Sequence, residues 1–60
     1  MGEKLRAARK AAGLTQVQLA DLVGVQQRDI SRWESGSREP GVLIVKKIAQ
    51  VLGCTMDDLV

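Results

Sequence analysis

The stretch Thr15–Gly36, TQVQLADLVGVQQRDISRWESG, constrains the fold of this chain more than any other. It reads as two short helices joined by a tight turn. Thr15 and Gln18 have the spacing of a capping box, and Leu14 and Leu19 that of a hydrophobic staple. Leu19, Ala20 and Val23 recur at helical spacing, and Gly24 suits the left-handed position that ends a helix. A second helix is predicted from near Gln27, with Val25 and Ile30 as another staple. Asp29 in its first turn complements the helix dipole, and Gly36 ends it.

The second helix is two-faced. At about 100° per residue, with Gln27 at zero, Ser31 lies at about 40°, Arg28 at about 100° and Arg32 at about 140°. Trp33 and Ile30 lie opposite, at about 240° and 300°. Hydrogen-bonding side chains fill one arc and bulky apolar groups the other. The polar arc can face a binding partner, but an ordinary amphipathic helix with a solvated polar face gives the same pattern, so the angles alone leave both readings open.

Sixty residues predict one domain, 1–60, with a small core. The hydrophobic content of 45% with 27% charge is that of a globular chain. The net charge is only +2, but it is unevenly spread. Residues 1–38 carry seven basic against four acidic groups, whereas residues 39–60 carry two against three. The basic excess lies with the helix pair. Cys54 is the only cysteine, so no internal disulfide can form, and a reducing, cytoplasmic setting is expected. Cys54 itself reads as a buried structural thiol stapled onto Leu59. No apolar run approaches the length that spans a bilayer.

Three further helices flank the pair. The first is predicted over 3–12, with Leu5, Ala8 and Ala12 on one stripe and Gly13 as its stop. After the polar loop Ser37–Pro40, a fourth is predicted over 42–52. Val42–Val45 would also suit a strand, but Val45, Ile48, Ala49 and Leu52 continue at helical spacing. Gly53 ends this helix. Thr55 opens a short fifth helix, 56–60, with Asp57 and Asp58 in its first turn and Leu59 pointing inward. The abrupt end after Val60 hints at a piece of a longer chain.

Catalytic chemistry has little to stand on. There is no histidine, and the single cysteine leaves no metal-ligand cluster. Asp57 and Asp58 are explained by the helix dipole, and the glycines do not form a phosphate-cradling loop. An enzyme is not expected, and neither metal nor cofactor is implied.

Together, Arg9, Gly13-Leu14-Thr15-Gln16, Leu19-Ala20, Gly24, Ile30-Ser31, Trp33-Glu34, Gly36, Pro40 and Ala49…Leu52-Gly53 resemble the phage-repressor/Cro-type, or XRE-like, helix-turn-helix family over essentially the whole chain. The resemblance implies an all-α, five-helix, lambda-repressor-like DNA-binding fold, with helices 2 and 3 as the helix-turn-helix. It implies a transcriptional regulator of repressor type that places the third helix in the major groove and binds double-stranded DNA as a homodimer. By position, Gln27, Arg28, Ser31 and Arg32 would read base edges, as Arg suits guanine and Gln adenine. Gln16, Gln26, Ser35 and Arg38 would meet phosphates, and Arg9 and Glu34 would form a structural ion pair.

Three positions depart from the family pattern. Gln26 replaces a usual Ser or Thr, which predicts a poorly capped helix and frees Gln26 for DNA. Gly41 also replaces a usual Ser or Thr, and Leu43 falls where a polar residue is usual and is expected to be exposed. Leu43, Ile44, Leu59 and Val60 are the expected subunit contact. The alternative function is a protein-interaction module of antitoxin or coactivator type on the same fold. A single-strand or RNA reader fits poorly, because the only aromatic residue, Trp33, lies on the apolar arc.

Overall fold

The computed structural model describes residues 1–60. Local capping explains where its elements begin. Thr15 Oγ1 accepts the Gln18 N–H at 3.1 Å, and the Gln18 side chain accepts the Thr15 N–H at 2.9 Å. This box starts α2, Gln16–Val23. Gly24 follows at φ +86°, and the Val25 N–H reaches back to the Ala20 carbonyl at 3.0 Å. The left-handed turn is why glycine stands there. It delivers the chain directly into α3, Gln27–Ser35.

The remaining helices are α1, Gly2–Ala11, and α4, Val42–Leu52. The first begins and ends one residue before the expected range. The N–H groups of Gly13 and Leu14 turn back to the Lys10 and Arg9 carbonyls and close α1 early. Ala12 therefore lies past the helix and exposed, not on the packed stripe. The VLIV run is helical.

The fold has four α-helices, not five. The segment expected as a fifth helix over 56–60 is a single 3₁₀ turn, Met56–Asp58. Asp58 accepts the Thr55 N–H at 3.0 Å and Thr55 Oγ1 accepts the Asp58 N–H at 3.3 Å. That reciprocal cap, with the i→i+3 bond from the Leu59 N–H to the Met56 carbonyl, closes the segment after one tight turn. Leu59 then drops into the core.

One cluster forms that core: Leu5, Leu19, Ala20, Val23, Ile30, Val45, Ile48, Ala49 and Leu59. Every element contributes to it except the 3₁₀ turn, whose neighbour Leu59 does. Burying each large aliphatic side chain stabilises the fold by about 1.5–3 kcal/mol. Trp33, Ile44, Leu14 and Val25 pack on its margin, and Cys54 is half-buried. Burial and the nearby Asp58 carboxylate push the Cys54 thiol up from its ordinary pKa.

Leu59 is only 1% exposed, so it cannot serve as the expected subunit contact. Leu43 is 81% exposed, as its helical angle predicts, and Val42 and Val60 are also in water. Lys4 Nζ donates to the Val60 carbonyl at 2.7 Å and ties α1 to the end of the chain.

Contacts with both neighbours set the pose of α3, which packs against α2 and against α1. Where α1 begins, Gly2 lies against the last turn of α3, and a Cβ there would strike the Glu34 carbonyl. Glycine permits this approach because it has no side chain.

Candidate nucleic-acid interface

The polar arc of α3 stands free because the opposite arc is fixed. Ile30 is fully buried, and Trp33 packs against the core. Gln27, Arg28, Ser31 and Arg32 are all exposed. Of these four, Arg28, Ser31 and Arg32 have no side-chain partner within the chain, and only Gln27 is tied back.

That tie belongs to a buried network. Arg9 donates to both carboxylate oxygens of Glu34, from Nε at 2.6 Å and from Nη2 at 3.1 Å. Its Nη1 donates to the Leu14 carbonyl at 2.7 Å. The two side chains are 9% and 5% exposed, so the pair is a buried, bidentate one. The Glu34 hydrogen bond outweighs the cost of desolvation and pushes the Arg9 pKa up. Gln16 Nε2 donates to the same Glu34 oxygen at 3.2 Å, while Gln16 Oε1 accepts from Gln27 Nε2 at 2.8 Å. A chain of contacts thus runs from Arg9 through Glu34 and Gln16 to Gln27. It links α1, the start of α2 and both ends of α3.

The start of α3 is capped, contrary to expectation. The Asp29 carboxylate accepts the Gln26 N–H at 3.1 Å, so the third helical position supplies the cap. The signal for this cap is an acidic residue three places after the N-cap, which serves the Gln26 N–H in addition to the helix dipole. The Gln26 side chain is exposed and makes no cap bond.

The other end of α3 accounts for Ser35. Its hydroxyl donates to the Arg32 carbonyl at 3.0 Å, as do the backbone N–H groups of Ser37 at 3.1 Å and Arg38 at 3.3 Å. The Ser35 hydroxyl thus helps to close the helix, and it also lies 3.1 Å from the Ser37 hydroxyl. Arg38 is exposed at the helix exit with no side-chain partner. Gln16 Nε2 uses one of its two N–H donors on Glu34, which leaves the second, together with the backbone N–H at the first helical position, free to donate.

A cleft that the sequence did not suggest lies between α1, α2 and α3. Arg6, Arg9, Gln16, Ser31, Glu34 and Ser35 line it, and its volume is about 270 Å³. No apolar side chain lines it. The only signal for Arg6 was its place three residues before Arg9, on the same side of α1. No cluster of three or more His, Cys, Asp or Glu residues is placed to hold a metal ion.

Comparison with known proteins agrees with this architecture. Residues 5–59 match a family model described as helix-turn-helix. The chain is 31% identical over 58 residues to YonR, an SPbeta prophage-derived HTH-type transcriptional regulator of Bacillus subtilis, covering 97% of this chain and 54% of that protein. It is 40% identical over 57 residues to the transcriptional activator BcrR of Enterococcus faecalis, covering 95% and 28%. It is 37% identical over 59 residues to repressor protein C2 of Salmonella phage P22, covering 98% and 27%. This chain thus spans about half the length of the first of these relatives and under a third of the other two. The crystal structure of the P22 c2 repressor with a synthetic operator superimposes with a TM-score of 0.91 at 36% identity, over 98% of this chain and 89% of that one. The chain belongs to the phage-repressor, XRE-like helix-turn-helix family.

Proposed function

We propose that this chain is the sequence-specific, double-stranded DNA-binding unit of a transcriptional regulator of repressor type. One observation carries the reading. The polar arc of α3 presents Arg28, Ser31 and Arg32 to solvent with no partners, on a helix whose other arc is locked by Ile30 and the buried Arg9–Glu34 pair. Base reading needs the helix that carries the donors held in one pose before DNA arrives, while the donor tips stay unpaired and ready to bond. Gln27, braced by Gln16, and Arg28 stand at the start of α3, the end that enters the major groove in helix-turn-helix proteins. Arg28 and Arg32 suit guanine O6 and N7, and Gln27 suits adenine. Arg38, the Gln26 side chain and the Gln16 backbone N–H are the phosphate contacts.

The regulator binds as a homodimer to half-sites about 34 Å apart, or a multiple of that. The subunit contact uses the exposed apolar residues Leu43, Val42 and Val60 with the margin of Ile44. A cytoplasmic location follows from the target. No helix is long and apolar enough to cross a membrane.

Selection of bound sites from a random duplex library, followed by a salt titration on the winners, tests this reading. The expected result is a two-part site whose affinity falls steeply with salt, since each phosphate contact releases counterions. A chain that binds no duplex at low salt would instead favour a protein-interaction module on the same fold.

A further inference from the structure

We propose that the cleft between α1, α2 and α3 is a binding site for one backbone phosphate of duplex DNA, with Arg6 supplying its charge and Ser31 a hydroxyl donor. The proposal rests on the DNA-binding reading above and adds α1 to the surface that meets the duplex.

Charge balance points to Arg6. Two guanidinium groups and one carboxylate line the cleft, leaving one positive charge. The charge of Arg9 is balanced by the Glu34 carboxylate, which it meets through Nε and Nη2. Arg6, in contrast, is exposed and has neither an ion pair nor a side-chain hydrogen bond. A free guanidinium presents paired donors that match a phosphate edge to edge. The Ser31 hydroxyl is likewise unbonded, whereas the Ser35 proton is engaged by the Arg32 carbonyl.

Place and size agree with a DNA phosphate. The cleft volume of about 270 Å³ has room for a phosphate group with a few waters, each taking about 30 Å³. Its wall residue Gln16 is bonded to Gln27, so the cleft adjoins the end of α3 assigned to the groove. Ser31 stands on the border between cleft and base-reading arc. The all-polar lining excludes an apolar ligand.

The test compares the unmodified chain with Arg6→Ala, Arg6→Lys and Ser31→Ala, on a library-selected duplex and an unrelated duplex of equal length. Arg6 is exposed, so thermal melting of Arg6→Ala should match the parent and show that a binding loss is not a folding loss. Arg6→Ala should weaken both duplexes by the same factor, about eightfold near 0.1 M salt, and flatten the slope of log K against log salt by about 0.9. Arg6→Lys should keep that slope. Ser31→Ala should weaken both duplexes equally, and a loss confined to the selected duplex would make Ser31 a base reader and remove it from the phosphate site. If the parent binds with a steep salt slope and Arg6→Ala is identical to it, this proposal fails while the DNA-binding reading stands. A parent that ignores both duplexes overturns both. An NMR titration with inorganic phosphate alone separates the two sources: saturable shifts at Arg6 and Ser31, with duplex affinity unchanged in Arg6→Ala, would assign the cleft to a free anion and overturn its assignment to DNA.

Discussion

The two ends of this molecule are held together by different physics. Where α1, α2 and α3 meet, polar side chains hold one another: Arg9, Glu34, Gln16 and Gln27 form one bonded chain beneath an exposed polar arc. Where α4 meets the C-terminal turn, Val45, Ile48, Ala49 and Leu59 do the holding, and Val42, Leu43 and Val60 remain in water. Apolar packing is strong but non-directional. A bidentate ion pair is weak as net stabilisation but fixes angle and register. The molecule therefore spends its directional contacts where a helix must be aimed, and its apolar surface where another surface can be covered.

The contrast can be broken most severely at Glu34. Glu34→Ala strands the Arg9 guanidinium with 9% exposure, and urea unfolding should show a loss of about 3–5 kcal/mol. Replacing both partners with apolar residues of similar size should recover much of that stability yet leave Gln16 and Gln27 unbraced. DNA binding would then remain impaired in a stable protein. Full recovery of binding in that double variant would show that the network holds the fold together without aiming α3.

A smaller effect is expected on the exposed arc. Arg28→Ala and Arg32→Ala should each weaken operator binding by about 1–3 kcal/mol and relax preference at one base position, with unfolding unchanged within about 0.5 kcal/mol. On the apolar side, Leu43→Glu should leave unfolding within the same margin and weaken dimerisation, read by sedimentation. A Leu43→Glu protein that dimerises normally would remove Leu43 from the contact.

The smallest effect concerns the C-terminal cap. Hydrogen bonds from Thr55, with a lesser contribution from Lys4, hold the Asp58 carboxyl below its ordinary pKa. A lowered folded-state pKa stabilises above the unfolded value, so this contribution is full above about pH 4 and is lost as pH falls further through the folded-state pKa. Asp58→Ala should be slightly less stable than the parent at neutral pH, and the gap should close under acid. A gap that persists in acid would mean that the cap does not depend on ionised Asp58.

Much of this architecture was legible in local sequence. The Thr15–Gln18 box and the Gly24 turn depend on residues a few places apart, so spacing alone located α2 and the turn into α3. The Arg9–Glu34 pair spans 25 positions, and it was reached only by resemblance to a family. Two positions depend on neighbours that a single residue does not reveal. Gln26 looks like a poor cap from its own side chain, whereas the cap comes from Asp29, whose carboxylate serves the Gln26 N–H as well as the helix dipole. Leu59 suits both an inward position and an apolar surface by sequence, and its 1% exposure leaves only the first. The Arg6 cleft was invisible for a different reason: it exists only once three helices are brought together.

The most direct test of the central claim is to titrate the labelled protein with duplex DNA and map backbone amide shifts by NMR. If the braced arc of α3 is the reading surface, the largest changes will fall on Gln27, Arg28, Ser31 and Arg32 and at the start of α2, with α4 and the C-terminal turn nearly still. Shifts gathered on Val42, Leu43 and Val60, with α3 unmoved, would contradict it.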